Sequence, residues 1–369
     1  MGRDDISFID LKAHTRLLER EIMDAVACVC ATAEYSGGSF VEKFEGEFAR
    51  FLGAPGFIGV SNGSDALFLA LRALGISEGD EVIVPASMFI ATALAPMRLG
   101  AVPVFADCDP VTWQIDPASV ERLVTKRTRA IIGVHLYGQA FPLDEINQLA
   151  RRHGLKVLED CAQSQGTVYR GRRVGTLSDA GCFSFYPTKN LGACGQAGGV
   201  TCAAEADDRA IRIMRSQGAD AKGTHVELGY NMRMDGMQAA ILSAMLPHLR
   251  AWNERRSEIV RQYRAGIDKP HIRFQGELPH TDPAWYLAVV CVPDRERFLR
   301  YMADLGIICG VHYRQACHLA PAMAGLGHRR GDLPNAEYLA DHCVSLPLYP
   351  ELSDDAVNRV IEACNRWTA

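Results

Sequence analysis

The sequence has no CxxC pair, no block of five like charges, and no uncharged apolar run longer than residues 82–97. Each absence removes a class of protein. Without cysteines at ligand spacing, a structural zinc site is not expected, nor is any other metal. The apolar run is interrupted by Pro85 and Pro96 and falls short of the roughly 20 residues that cross a bilayer. Lys and Arg total 39 against 44 Asp and Glu, a net charge of −5, so neither a nucleic-acid surface nor a basic membrane face is expected. GxxxxGK[ST], HExxH and GxGxxG are also missing, which takes away the usual marks of P-loop, zinc-protease and dinucleotide chemistry. The opening MGRDDISFIDLKAH is charged where a secretory signal is apolar, so the expected location is the cytoplasm. The 12 cysteines then read as reduced thiols, not as a disulfide framework.

What the chain does have is length and alternation. Its 369 residues, 48% of them hydrophobic, suffice for a large core and a smaller second one. Short β-rich runs at 57–60, 81–85, 102–106, 130–135, 156–159, 181–185 and 199–202 alternate with helical patterns at 64–74, 89–99, 117–124, 143–153 and 207–216. This predicts an α/β fold with a mostly parallel seven-stranded sheet flanked by helices. A single long helix is expected from Asp235 to Ala265, followed by an α+β pattern beyond Lys269-Pro270. The expected division is a large domain with an N-terminal arm over residues 1–251, and a small C-terminal domain over 252–369 that begins in the linking helix.

Residues 59–63, GVSNG, spell GxSxG between a strand and a helix. One reading is a hydrolase elbow with Ser61 as nucleophile and Asp160 and His312 following in chain order. Another is a phosphate cradle, because Asn62-Gly63-Ser64-Asp65 opens a helix whose backbone N–H groups attract anions. Further on, KVLED ends a strand in Asp160, and 29 residues later Lys189 lies in FSFYPTKNLGA. There it stands between an aromatic strand and a glycine-rich turn, a setting that desolvates an amine and makes it nucleophilic. A phosphate cradle, a strand-end carboxylate and a nucleophilic lysine are the three elements that an aldehyde cofactor with a phosphate and a pyridine ring requires.

These motifs stand in order with HLYGQ from His135, LEDCAQSQG from Leu158, GYNMRMDGMQAA from Gly229, LPHLRAWNERR from Leu246, VHYRQACHLAPA from Val311 and LPLYPELSDD from Leu346. Together they resemble the DegT-type sugar aminotransferases, pyridoxal-phosphate (PLP) enzymes of fold type I in the aspartate aminotransferase superfamily, over nearly the whole chain. The resemblance implies that Lys189 is the Schiff-base lysine and Asp160 the carboxylate at the pyridine nitrogen. It implies that Gln163 contacts the ring hydroxyl, that Gly63, Ser64 and Ser184 hold the phosphate, and that Phe89 stacks on the ring. It makes Asn231 a phosphate ligand donated to a neighbouring subunit, hence a homodimer with shared active sites. Tyr186, Lys222, His312 and Tyr313 then line the sugar-nucleotide side.

The implied reaction moves an amino group from an amino-acid donor, glutamate, to a keto-sugar nucleotide. A dTDP-linked 3-keto-6-deoxyhexose is the first acceptor, and 4-keto-sugars or cyclitols are the alternatives. Lys189 stands where the dehydratase branch has histidine. Met88, Gln165 and Gln196 depart from the family's pattern and bear on the substrate. Cys161, Cys182 and Cys194 are expected to pack around the cofactor as thiols, so that oxidation impairs activity. Two other classes predict different behaviour: a GxSxG hydrolase needs Ser61 and leaves Lys189 inert, and a regulatory protein on the same fold binds the cofactor without amine exchange.

Overall fold

The computed structural model describes residues 5–368. Seven strands form the large sheet: β1 Ile58–Val60, β2 Glu81–Pro85, β3 Val102–Ala106, β4 Thr128–Val134, β5 Lys156–Asp160, β6 Ala180–Ser184 and β7 Gly198–Cys202. Their order is β1-β7-β6-β5-β4-β2-β3. The pairs from β6 through β5, β4 and β2 to β3 are parallel, whereas β7 runs antiparallel to both β6 and β1. The expected mostly parallel seven-stranded sheet is present, with strand ends within two residues of those read from the sequence.

The central strands read as continuous apolar runs because both faces are covered. Successive side chains point to opposite faces, so Val84, Leu158 and Cys182 join one apolar cluster while Ile83, Val157 and Phe183 join the other. Helix Gly63–Ala73 covers the first face with Leu67 and Leu71. On the second, Phe44 and Phe48 of helix Ser39–Leu52 meet Phe57, Phe183 and Phe185 mostly edge to face, with Phe48 centroids 4.7 Å from Phe57 and 5.1 Å from Phe185. This aromatic cluster braces the segment that leads from β6 to Lys189.

The single helix expected over 235–265 is two helices, Gly236–Met245 and Leu249–Gly266, joined by a 3-10 turn Leu246–His248. Pro247 at the junction has no N–H to donate and clashes with the preceding turn. The helix expected over 89–99 is confined to Ala91–Met97. A second antiparallel sheet follows, in the order β8 Arg273–Phe274, β9 Ala288–Cys291, β10 Cys343–Leu346. Helices Arg295–Asp304 and Asp354–Arg366 contribute Phe298, Val357 and Val360 to its core. The N-terminal arm lies against this second layer: Ile6 is buried in that core, donates to the Gly306 carbonyl and accepts from the Ile308 N–H. Among the described residues, no helix is long and apolar enough to cross a membrane.

Candidate active site

The carboxyl ends of β5 and β6 open onto a cavity of about 750 Å³, a size that holds a cofactor and a substrate. Alternation along the strands decides which residues reach it. Asp160 and Ser184 face the cavity, whereas Cys161 falls on the opposite face. The Asp160 carboxylate is buried and fixed by two donors, the Thr92 hydroxyl at 2.7 Å and the Ala162 N–H at 3.1 Å. Burial pushes this carboxyl above its ordinary range, against the pull of those donors and of the Lys189 charge. Such a group gains from a cation placed beside it.

At the other end of the cavity, helix Gly63–Ala73 begins. Asn62 caps it by accepting from the Asp65 N–H at 2.9 Å, and the first-turn N–H groups have no partner within a helix. Gly63 and Ser64 therefore present the positive end of the helix to the cavity. The approach is close, because a Cβ on Gly63 would lie 2.7 Å from the Cβ of Ser184. Gln165 supports Ser184 from behind by donating to its carbonyl at 2.5 Å. Replacing Gly63 by alanine should force the helix start off Ser184. Titration of the apo-protein with cofactor, followed by absorbance, is expected to show affinity reduced roughly 10- to 100-fold, about 1.4–2.8 kcal/mol. Unchanged affinity would remove Gly63 from the cradle.

Between these ends lie aromatic and amide groups. Gln163 accepts from the Tyr137 N–H at 2.8 Å and donates to the Tyr313 hydroxyl at 3.0 Å. Phe89 is 54% exposed, with its ring 5.8 Å from that of Tyr313, so a large apolar face is open to the cavity. Lys189 Nζ sits 4.3 Å from the centroid of Tyr286. His312 is bonded through Nδ1 to Ser345 at 2.9 Å. Burial, with the nearby Lys189 charge, pushes its imidazole down to about 4, so it is neutral at neutral pH.

The cavity gathers Gly63, Ser64, Phe89, Asp160, Gln163, Ser184, Tyr186, Lys189, His312 and Tyr313, all expected from the sequence. It does not gather two others. Lys222 is exposed in a tight turn in which its N–H donates to Asp220, and Asn231 is exposed where it pairs with Ser216. Within one chain neither reaches the site. Thr92 and Tyr286, both lining the cavity, were not expected. Neither carried a local signal, because each is placed by a contact far along the chain.

The hydrolase constellation is not assembled. The Ser61 hydroxyl donates to Asp65 at 2.5 Å, Asp160 is held by Thr92, and His312 is held by Ser345. The cysteine expectation also needs correction, since none of the three thiols lines the cavity. Cys182 is buried on the site's face, Cys161 is buried on the far face, and Cys194 is exposed. Burial raises Cys161 and Cys182 well above the ordinary thiol range, which suppresses the reactive thiolate. A thiol reagent should label exposed Cys28, Cys30 and Cys194 in the native protein, and reach Cys161 and Cys182 only on unfolding. Peptide mapping checks this; rapid native labelling of either buried thiol would contradict it. His135, Glu159 and Cys161 cluster on the far face, where Glu159 already accepts from His135 at 3.1 Å and from the N–H groups of Gly175 and Leu177 at 2.7 Å.

A model of the DegT/DnrJ/EryC1/StrS aminotransferase family matches residues 17–365. The chain belongs to this family. It is 43% identical to the erythromycin biosynthesis sensory transduction protein EryC1 of Saccharopolyspora erythraea, over 97% of this chain and 98% of that one. It is 42% identical to the dTDP-3-amino-3,4,6-trideoxy-alpha-D-glucose transaminase of Streptomyces venezuelae, over 98% of this chain and 96% of that one. The crystal structure of S. venezuelae DesV in complex with a ketimine intermediate superposes with a TM-score of 0.97 at 41% identity, covering 98% of each chain. The DegT/DnrJ/EryC1/StrS cofactor, PLP, suits the cavity. The helix start at Gly63 and Ser64 would suit the phosphate, the buried Asp160 a protonated ring nitrogen, the open face of Phe89 the ring, and Lys189 the aldehyde.

Proposed function

We propose that this aminotransferase takes an amino group from L-glutamate and transfers it to a keto-sugar nucleotide, with a dTDP-linked 3-keto-6-deoxyhexose as acceptor. The observation that carries the reading is the facing of Lys189 and the buried Asp160 across one cavity whose far end is the start of helix Gly63–Ala73. Its acceptor follows the named activity of the S. venezuelae transaminase. The active unit is a homodimer, which accounts for Asn231 lying exposed and outside its own chain's cavity.

When bound, PLP would supply an aldehyde carbon that carries the amino group from donor to acceptor and an electron-withdrawing ring that stabilises the carbanion formed on the way. The protein's part is to bind, orient and move protons. Lys189 Nζ is the one lysine amine that lines the cavity among the described residues, so it would carry the proton between the two carbons involved, as base and then as acid. Asp160 would hold the ring nitrogen in its cationic form, and the Thr92 and Ala162 donors keep the carboxylate aimed. Gly63, Ser64 and Ser184 would anchor the phosphate, Gln163 the ring hydroxyl, and Phe89 one ring face. Tyr186, neutral His312 and Tyr313 border the remaining volume, where the sugar would lie.

The test is a panel of dTDP-linked 3-keto and 4-keto sugars and their UDP counterparts, each incubated with L-glutamate and scored by product mass. Amination of the dTDP-linked 3-keto sugar above the others is expected. Preference for a 4-keto sugar would reject the acceptor, and absence of amine exchange with glutamate would reject the donor.

A further inference from the structure

An amine that bonds to the cofactor in one half of the cycle needs a defined position in the other half, and the chain provides one. Lys189 Nζ lies 4.3 Å from the centroid of the Tyr286 ring, within the range of a cation–π contact. That ring is fixed from several sides. Its hydroxyl is 3.2 Å from the hydroxyl of Thr188, 98 positions away and next to the lysine. On the other flank of the lysine, Asn190 donates to the Ala284 carbonyl at 2.8 Å and to Asn253 at 2.7 Å. Buried Arg256 donates to the Tyr286 carbonyl at 3.4 Å and the Leu348 carbonyl at 3.1 Å. From the opposite direction Gly138 comes so near that a Cβ there would be 2.7 Å from the backbone nitrogens of Trp285 and Tyr286, and its φ of +97° already suits glycine. The segments around residues 188–190 and 284–286 are thus locked together, and the ring face is their point of contact with the amine.

We propose that Tyr286 is a positioning residue whose ring face holds the free amine of Lys189 in place between the two half-reactions. This rests on the assignment of Lys189 made above. The charged and titratable groups in the two cavities that Lys189 borders come from several elements: Asp160 at the end of β5, Asp65 in the first turn of helix Gly63–Ala73, Tyr186 near the lysine, His312 and Tyr313, and, behind the lysine, Arg256, Tyr349 and Glu351 with Asp10 and His14 of the N-terminal arm. Against that fixed background the ring adds attraction for the cation alone, because its negative face interacts with the ammonium and not with the neutral amine.

Holoenzyme reconstituted with pyridoxamine phosphate leaves the Lys189 amine free. Its acetylation by acetic anhydride, measured by peptide mass against pH, gives the midpoint of the amine. Tyr286→Met and Tyr286→Leu remove the ring with different shapes, so that one misfolded variant does not decide the matter; Tyr286→Phe keeps the ring and loses the hydroxyl. The ring-free variants are expected to lower the midpoint by roughly 0.5–1 pH unit, about 3- to 10-fold more labelling below it, while Tyr286→Phe stays close to the unmodified protein. An unmoved midpoint in the ring-free variants, even with a changed high-pH plateau, overturns the proposal. So does a Tyr286→Phe midpoint that falls as far as theirs. Failure of the lysine assignment itself reads differently: borohydride reduction of the aldehyde form would then leave Lys189 unmodified.

Discussion

Replacement of Lys189 by alanine is expected to abolish turnover, lowering the rate of amine exchange with L-glutamate by at least about 10⁴-fold. The size follows from two losses at one residue. The amine that lines the cavity would be the covalent anchor for the aldehyde, and no second lysine among the described residues lines that cavity to carry the proton in its place. The cradle at Gly63 and Ser64, the Asp160 carboxylate and the Phe89 face are untouched by the change. The variant should therefore still bind cofactor, now without a covalent bond, and fold normally. Stopped-flow absorbance during a single half-reaction measures the loss. A Lys189→Ala protein that turned over at a normal rate would require another base, and would defeat the account of the site.

Asp160→Asn is the second change with a large expected effect, and its signs in activity and stability differ. Amide cannot balance a cationic ring nitrogen, so the rate should fall roughly 10²- to 10⁴-fold, the scale of a lost electrostatic stabiliser. Stability runs the other way. A carboxyl whose folded value is raised by burial is disfavoured in its ionised form, so its ionisation removes stability as pH rises from the ordinary carboxyl range through the raised one. At pH 7 the apo-protein with asparagine should melt no lower than the unmodified apo-protein, because an amide carries none of the burial cost of ionising a carboxyl there. Melting curves of both apo-proteins check this. A large fall in melting temperature would mean that Asp160 is a structural anchor held by Thr92, not a group kept for the cofactor.

Much of this site was legible because its chemistry sits on local motifs. KVLED ends a buried strand, so its last carboxylate has to emerge at the strand's carboxyl edge, where α/β sheets bind ligands. FSFYPTKNLGA pairs an aromatic strand with a lysine, and its Phe183 and Phe185 pack edge to face on Phe48. What could not be read depended on long-range contacts. Thr92 meets Asp160 across 68 residues, and Tyr286 meets Thr188 across 98, separations over which sequence periodicity says nothing. The cysteines failed for a different reason. Nearness to a motif in sequence is not nearness in space: one step along a strand reverses the face, which sends Cys161 away from Asp160. Pro247 was visible all along, and the continuous apolar-to-charged pattern around it still read as one helix because periodicity persists across the 3-10 turn.

On the proposed reading Lys189 is the residue that bonds the cofactor, with the Gly63 helix start and Asp160 fixing the two ends of the ring system. The most direct measurement is borohydride reduction of the purified holoenzyme followed by peptide mass analysis. Loss of the visible absorbance and one cofactor adduct, on the peptide that contains Lys189, are expected. A colourless protein, or an adduct on any other lysine with Lys189 unmodified, would contradict it.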